Sequence, residues 1–156
     1  MDLLISEPTS PNGIQQVRAL FLEYAAWLKV DLCFQGFEQE LAGLPGKYAP
    51  PRGCLLLASV DGAPAGCIAL RPLESGIGEV KRLYVRPEFR GRGIAKKLAA
   101  ELVAAARAIG YARLRLDTLE FMRDAAALYR SLGFVEIAPY YDNPLQGAVY
   151  MELKLS

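Results

Sequence analysis

Two glycines one residue apart, Gly91 and Gly93, stand between an apolar run ending at Val85 and a long helical pattern. Arg90, Arg92 and Lys96 surround them. Glycines at this spacing let the backbone turn tightly and aim its N–H groups at an anion. The first turn of the following helix adds unpaired donors and a partial positive charge, which makes the junction a phosphate site. Arginines here oppose the helix dipole unless an anion compensates, and that local conflict points to function. Other phosphate loops fit less well. GxxxxGK[ST] is missing, and GxGxxG is incomplete because Lys96 occupies its third glycine position.

The chain has no histidine. Ser-His-Asp and Cys-His catalysis are therefore excluded, and acid–base chemistry falls to carboxylates, tyrosines, lysines, cysteines or water. Tyr129 shares a helical face with Ala125, Leu128 and Leu132, which by spacing alone reads as a core aromatic. Glu79 at the head of a strand reads, from its position alone, as a solvent-facing carboxylate. Cys33, Cys54 and Cys67 are odd in number, widely spaced and set among apolar neighbours. They predict buried thiols in a reducing compartment, with no disulfide framework and no metal site.

The elements that position these groups follow from periodicity. Leu3 to Ser6 predicts a short strand. Val17, Leu20, Phe21, Tyr24 and Leu28 predict an amphipathic helix from Ile14 onward, and Phe34 to Leu41 a second helical piece. LPGKYAPPRG, Leu44 to Gly53, must be an ordered loop. Cys54 to Val60, the turn Asp61-Gly62 and Ala65 to Leu70 predict a hairpin, and Glu79 to Val85 a further strand. Gly93 to Ile109 is a strong helix closed by Gly110. Leu114 to Thr118, Met122 to Leu132, Phe134 to Ile137 and Val149 to Leu155 predict strand, helix, strand and strand. Strands alternating with helices in the second half require parallel crossovers, so the sheet should be mixed.

With 156 residues, 53% of them hydrophobic, the chain can bury a core without staples. Its 18 Lys plus Arg against 17 Asp plus Glu give a net charge of +1 and no field for steering nucleic acid. The segment MDLLISEPTS lacks signal-peptide features, and no stretch approaches the ~20 apolar residues of a membrane span. The location expected is cytoplasmic, with no membrane and no nucleic-acid partner.

Arg90-x-x-Gly93-x-Ala95 resembles the Q/R-x-x-G-x-G/A signature of the GNAT superfamily of acyl-CoA N-acyltransferases. Lys81-Arg82-Leu83-Tyr84-Val85 resembles that family's fourth strand. Ala125-x-x-Leu128-Tyr129-Arg130-Ser131-Leu132-Gly133-Phe134 resembles its later helix and the start of the strand after it. The match runs from about Leu55 to Leu155. It implies an α/β (α+β) fold with a mixed, mostly antiparallel central sheet, helices on both faces, and a splay between the fourth and fifth strands. Residues 1–156 would form one N-acetyltransferase domain. About residues 1–53 would supply the substrate side and 54–156 the acyl-CoA-binding core.

By the same resemblance the cosubstrate is acetyl-CoA. The N–H groups of Gly91, Arg92, Gly93, Ile94 and Ala95, beside Arg90 and Lys96, would hold its pyrophosphate. Leu83, Tyr84 and Val85 would bind the pantetheine arm through their backbones, like an added strand. A bulge usual in this strand would free an N–H to polarise the thioester carbonyl. Tyr129 falls on the general-acid position that protonates the leaving thiolate. Glu79 falls where some members keep a catalytic base, with Asp117 or a water relay as alternatives. Met122 stands where members often have an Asn that touches the pantetheine arm, so Arg123 or Asp124 would have to substitute. Tyr48, Arg52, Tyr140, Tyr141, Asp142 and Asn143 could line the acceptor pocket, with Arg52 gripping a carboxylate. The expected activity is transfer of an acetyl group to a primary amine of a small molecule, by direct attack in a ternary complex. The alternative is a non-catalytic acyl-CoA-binding or sensing module. A homodimer is left open.

Overall fold

The computed structural model describes residues 2–28, 32 and 36–155. Strands β1 (Leu3–Ser6), β2 (Cys54–Val60), β3 (Ala63–Glu74), β4 (Ile77–Val85), β5 (Arg113–Leu119), β6 (Val135–Ile137) and β7 (Ala148–Lys154) form one sheet. Its order is β1-β2-β3-β4-β5-β7-β6, and every pair is antiparallel except β4–β5. The helices are α1 (Pro11–Leu28), α2 (Phe37–Ala42), α3 (Ile94–Ile109) and α4 (Arg123–Ser131). The mixed, mostly antiparallel sheet is therefore as expected.

Both faces are covered, which explains the continuous apolar run in β2. Cys54, Leu56, Ala58 and Val60 face α3, against Ile94, Leu98, Leu102 and Ala106. Leu55 and Leu57 face the other way, into a core with Val17, Leu20 and Phe21 of α1. Cys54 and Cys67 are buried free thiols, with Cys54 pushed up to about 12 by burial and the neighbouring Glu7. Cys33 lies outside the described residues.

Most boundaries lie within two residues of expectation, and among the described residues two differ by more. Helix α1 begins at Pro11, where Ser10 Oγ accepts the Gly13 N–H at 3.0 Å. A capping serine followed by proline is a helix start, because proline lacks a donor that would go unpaired there. Strand β3 runs on to Glu74, paired with Ile77, beyond the expected end at Leu70. That extension places Arg71 opposite Glu79. The short α2 begins at Phe37, and the first two residues expected in it, Phe34 and Gln35, lie outside the described residues.

Candidate active site

The turn into α3 is built on backbone conformation. Gly91 and Gly93 both have φ of +78°, in the left-handed region that side chains disfavour. Gly93 is the N-cap residue, and no side chain caps the helix. The first-turn N–H groups are thus left for another partner. Arg90 turns back from them: its Nε donates to Val85 O at 2.9 Å, and its guanidinium lies over the rings of Trp27 and Tyr84 at 5.2 and 5.8 Å. Arg92 lies over Phe89 at 5.5 Å.

Beside this turn runs an open groove of about 370 Å³. It brings together Leu83, Tyr84 and Val85 from β4, Arg90, Gly91 and Gly93 from the turn, and Ile94, Ala95 and Lys96 from α3. Arg92 is not part of the lining. Met122, Asp124, Ala125 and Leu128 close the far side, so Asp124 stands at the groove where the resembling family carries a polar contact and Arg123 does not. Trp27, from α1, also lines it. Helix periodicity alone gave no reason to separate that tryptophan from the core face.

Strand β4 carries a bulge. Cys67 faces Tyr84 and Ala69 faces Lys81, so two steps along β3 match three along β4. The extra residue falls at Arg82–Leu83, and Arg82 has φ of +63°. A non-glycine residue in that conformation costs on the order of 1–2 kcal/mol. The Arg82 guanidinium is held from α2, where Glu40 accepts from Nε and Nη2 at 2.9 Å each, and it lies 5.2 Å over the Phe37 ring.

The parallel pairing of β4 with β5 is confined to Ile77, Gly78 and Glu79 against Arg113, Leu114 and Arg115. Beyond it the strands part. The gap holds a cavity of about 50 Å³ lined by Lys81, Arg82, Leu83, Asp117, Thr118 and Tyr129 among others. Leu83, Met122 and Ala125 line both this cavity and the groove, so the two adjoin. Tyr129 is 6% exposed and packs edge-on against Phe134, with ring centroids 5.3 Å apart. Burial, with Tyr24 and Asp117 adding to it, pushes its phenol well above the ordinary tyrosine value.

On the other side of Lys81 lies a third space, about 450 Å³, lined by Lys47, Arg71, Glu79, Lys81, Tyr140, Tyr141 and Asp142 among others. Glu79 is 1% exposed, which overturns its reading as a solvent-facing carboxylate. Its Oε1 accepts from Arg71 Nε at 2.9 Å and its Oε2 from the Tyr140 hydroxyl at 2.7 Å. Asp117 Oδ2 accepts from the Tyr141 hydroxyl at 2.7 Å and Asn143 Nδ2 at 3.2 Å, while Oδ1 lies 3.6 Å from Lys81 Nζ. Lys81 lines both the inner cavity and this outer one, and burial pulls its ammonium below the usual lysine value.

Arg52 is not here. Its guanidinium lies 5.1 Å over the Tyr111 ring, and its carbonyl accepts the Tyr111 hydroxyl at 2.8 Å. Tyr48 is 2% exposed and edge-on to Phe21, which makes it part of the core beneath α1. The arginine that the outer space does receive is Arg71, beside Lys47 and Lys81. The sequence signal for it was the hairpin turn at Ser75-Gly76, which sets Arg71 across from Glu79.

Residues 15–134 match the acetyltransferase (GNAT) family. Over 157 aligned residues the chain is 39% identical to an uncharacterized N-acetyltransferase of Schizosaccharomyces pombe, covering 99% of this chain and 96% of that protein. A crystal structure of a GNAT-family acetyltransferase from Staphylococcus aureus superposes with a TM-score of 0.82 at 20% identity, covering 99% of this chain and 100% of that one. An acetyltransferase from Salmonella typhimurium, solved with its cofactor acetyl-CoA, superposes with a TM-score of 0.74 at 18% identity, covering 100% and 95%. The chain belongs to the GNAT family. It is an acyl-CoA-dependent acetyltransferase, with acetyl-CoA as its cosubstrate. Among the described residues no helix is long and apolar enough to cross a membrane, and no cluster of three or more Cys, Asp or Glu side chains could hold a metal ion.

Proposed function

We infer that the enzyme moves the acetyl group of acetyl-CoA directly to a primary amine of a small molecule while both substrates are bound. The observation that carries this reading is the pair of spaces meeting at the β4–β5 gap. The groove beside the α3 turn adjoins the inner cavity through Leu83, Met122 and Ala125, and Lys81 links that cavity to the outer space. Two substrates can then approach one point from opposite sides, and no covalent enzyme intermediate is required.

The uncapped first turn of α3, with Gly91, Gly93, Ile94, Ala95 and the Lys96 ammonium, suits a pyrophosphate. The backbone of Leu83, Tyr84 and Val85 suits the pantetheine arm, and the bulge supplies a donor for the thioester oxygen. The amine enters from the outer space. It must be neutral to attack, yet an alkylammonium has a pKa of about 10, so its proton passes to Glu79 directly or through water. The nitrogen lone pair forms the C–N bond and the C–S bond breaks. Tyr129 gives its proton to the departing thiolate, and the phenolate recovers one from solvent or from the amide nitrogen. Burial keeps Tyr129 protonated before that step.

Incubation with acetyl-CoA and a panel of amines, with detection of the released thiol, tests the reading. Thiol release that depends on a small primary amine, with one acetylated amine formed per thiol, is the expected outcome. Acetyl-CoA binding without transfer to any small amine would overturn the substrate class.

A further inference from the structure

The outer space has an arrangement of charge that specifies more than an amine. Arg71 and Glu79 are cross-strand partners, so a cation and an anion are presented side by side at its wall. Only Nε of Arg71 is used in that pair, at 2.9 Å. Among the described residues its two terminal nitrogens make no hydrogen bond, although the side chain is only 23% exposed. A guanidinium with its outer edge open in a recess is a bidentate receptor for a planar anion.

Lys47 stands beside Arg71, and both also line an adjoining cavity of about 430 Å³ under Pro45, Gly46 and Tyr48. Of the other charges, Glu40, which also lines the adjoining cavity, is clamped to Arg82 by two hydrogen bonds of 2.9 Å. Lys81 is turned to Asp117 at 3.6 Å, and Asp142 is exposed at the rim on the Tyr141 side. The recess is therefore cationic toward Arg71 and Lys47 and anionic toward Glu79. Its complement is a small zwitterion, with its ammonium at Glu79 and its carboxylate at Arg71 and Lys47.

We propose that the acceptor is an amino acid, a primary amine whose own carboxylate is gripped by the open edge of Arg71 and assisted by Lys47. The proposal rests on the acetyl-transfer reading and refines its substrate. The carboxylate takes no part in bond making. It fixes the molecule so that the amine, once its proton has passed to Glu79 or water, points along Lys81 toward the β4–β5 gap. A site that hydrogen-bonds a substrate group discriminates strongly against analogues lacking it, because its own donors are then left unpaired.

The test compares free amino acids with their carboxamides and with alkylamines of equal length. It uses thiol release for turnover, and calorimetry of each compound binding to the CoA-bound protein. Free amino acids should be preferred in kcat/KM by tenfold or more and should bind where the carboxamides do not. Lys47→Glu should raise KM for amino acids about tenfold and should not raise KM for alkylamines, so that the ratio of the two kcat/KM values falls about tenfold. Arg71→Lys, which keeps a charge beside Glu79 but loses the fork, should erase most of the preference. Equal or better turnover and binding of carboxamides and alkylamines would overturn the proposal while leaving acetyl transfer standing. Failure of every amine despite acetyl-CoA binding would overturn the acetyl-transfer reading and this proposal with it.

Discussion

Arg82 and Glu40 join through two hydrogen bonds of 2.9 Å, and that clamp holds an arginine at φ +63° in the middle of β4. The pair is nearly closed to solvent, with side-chain exposures of 3% and 11%. It ties α2 to the bulge that opens the sheet. Removing one partner of a buried pair is strongly destabilising, at a cost of about 3–5 kcal/mol. Glu40→Ala should lower stability by that order in denaturant titration and reduce kcat/KM as the bulge relaxes. Glycine tolerates the left-handed conformation, so Arg82→Gly in the Glu40→Ala background should recover part of the loss. A double variant no more stable than Glu40→Ala alone would show that the backbone of the bulge, and not the clamp, sets its shape.

The α3 turn should respond to backbone conformation more than to its arginines. Gly93→Ala forces a side chain to φ +78° and should cost about 1–2 kcal/mol, although nothing lies within 4 Å of the added Cβ. A shift of the first-turn N–H groups should also weaken CoA by tenfold or more, while fragments lacking the pyrophosphate bind as before. Arg92→Glu should weaken CoA less than Gly93→Ala does, since Arg92 stacks on Phe89 outside the groove lining. Calorimetric titration of CoA into both variants checks the order. The reverse order would place the Arg92 side chain on the phosphates.

Most of the fold was legible because both core faces leave regular marks. The apolar run of β2, the Asp61-Gly62 turn and the spacing of Ile94, Leu98 and Leu102 each specify an element locally. The acceptor side was less legible. Arg52 was expected there, and it stacks on Tyr111 instead. The residue that reaches the space, Arg71, lies in a strand extension whose pairing depends on the register of the whole β3–β4 hairpin. The bulge had no mark of its own in the sequence. A left-handed arginine is unexpected where glycine would serve, and its clamp to Glu40, remote in sequence, accounts for it. Trp27 was hidden in the helical periodicity of α1 for the same reason, since its partner Arg90 is remote in sequence.

Alkaline pH should unfold the protein through its tyrosines. Burial above all raises Tyr24 to about 12, with Arg82 opposing and Asp117 and Glu40 adding. Tyr140 is raised further, by burial and by its hydrogen bond to Glu79. A raised phenol keeps its proton in the folded state after the unfolded chain has lost it at about pH 10. The folded state then binds more protons than the unfolded one, so stability falls as pH rises. The contribution of Tyr24 is complete below about pH 10 and is lost between about 10 and 12. The melting temperature should therefore fall steeply above pH 10, and Tyr24→Phe should make that fall shallower. An identical slope in Tyr24→Phe would remove Tyr24 from the cause.

Tyr129→Phe separates chemistry from packing. Tyr129 lines the gap between β4 and β5 and is 6% exposed, and Phe134 supports its ring at 5.3 Å. Phenylalanine keeps that packing and removes only the hydroxyl. If the hydroxyl protonates the thiolate, kcat should fall by about 10²–10⁴, or roughly 3–5 kcal/mol of barrier. Acetyl-CoA affinity should stay within a few-fold, since the groove that suits the arm and the pyrophosphate is lined by β4, the turn and α3. If the hydroxyl were only a core group, its loss would appear as a change in stability near 1 kcal/mol with kcat intact. The loss should also depend on the leaving group, because an acyl donor with a more acidic thiol needs less help in departing. Measuring kcat, acetyl-CoA Kd and melting temperature on one preparation of the variant distinguishes the two. Unchanged kcat with a lowered melting temperature would return Tyr129 to the core and leave thiolate protonation to water.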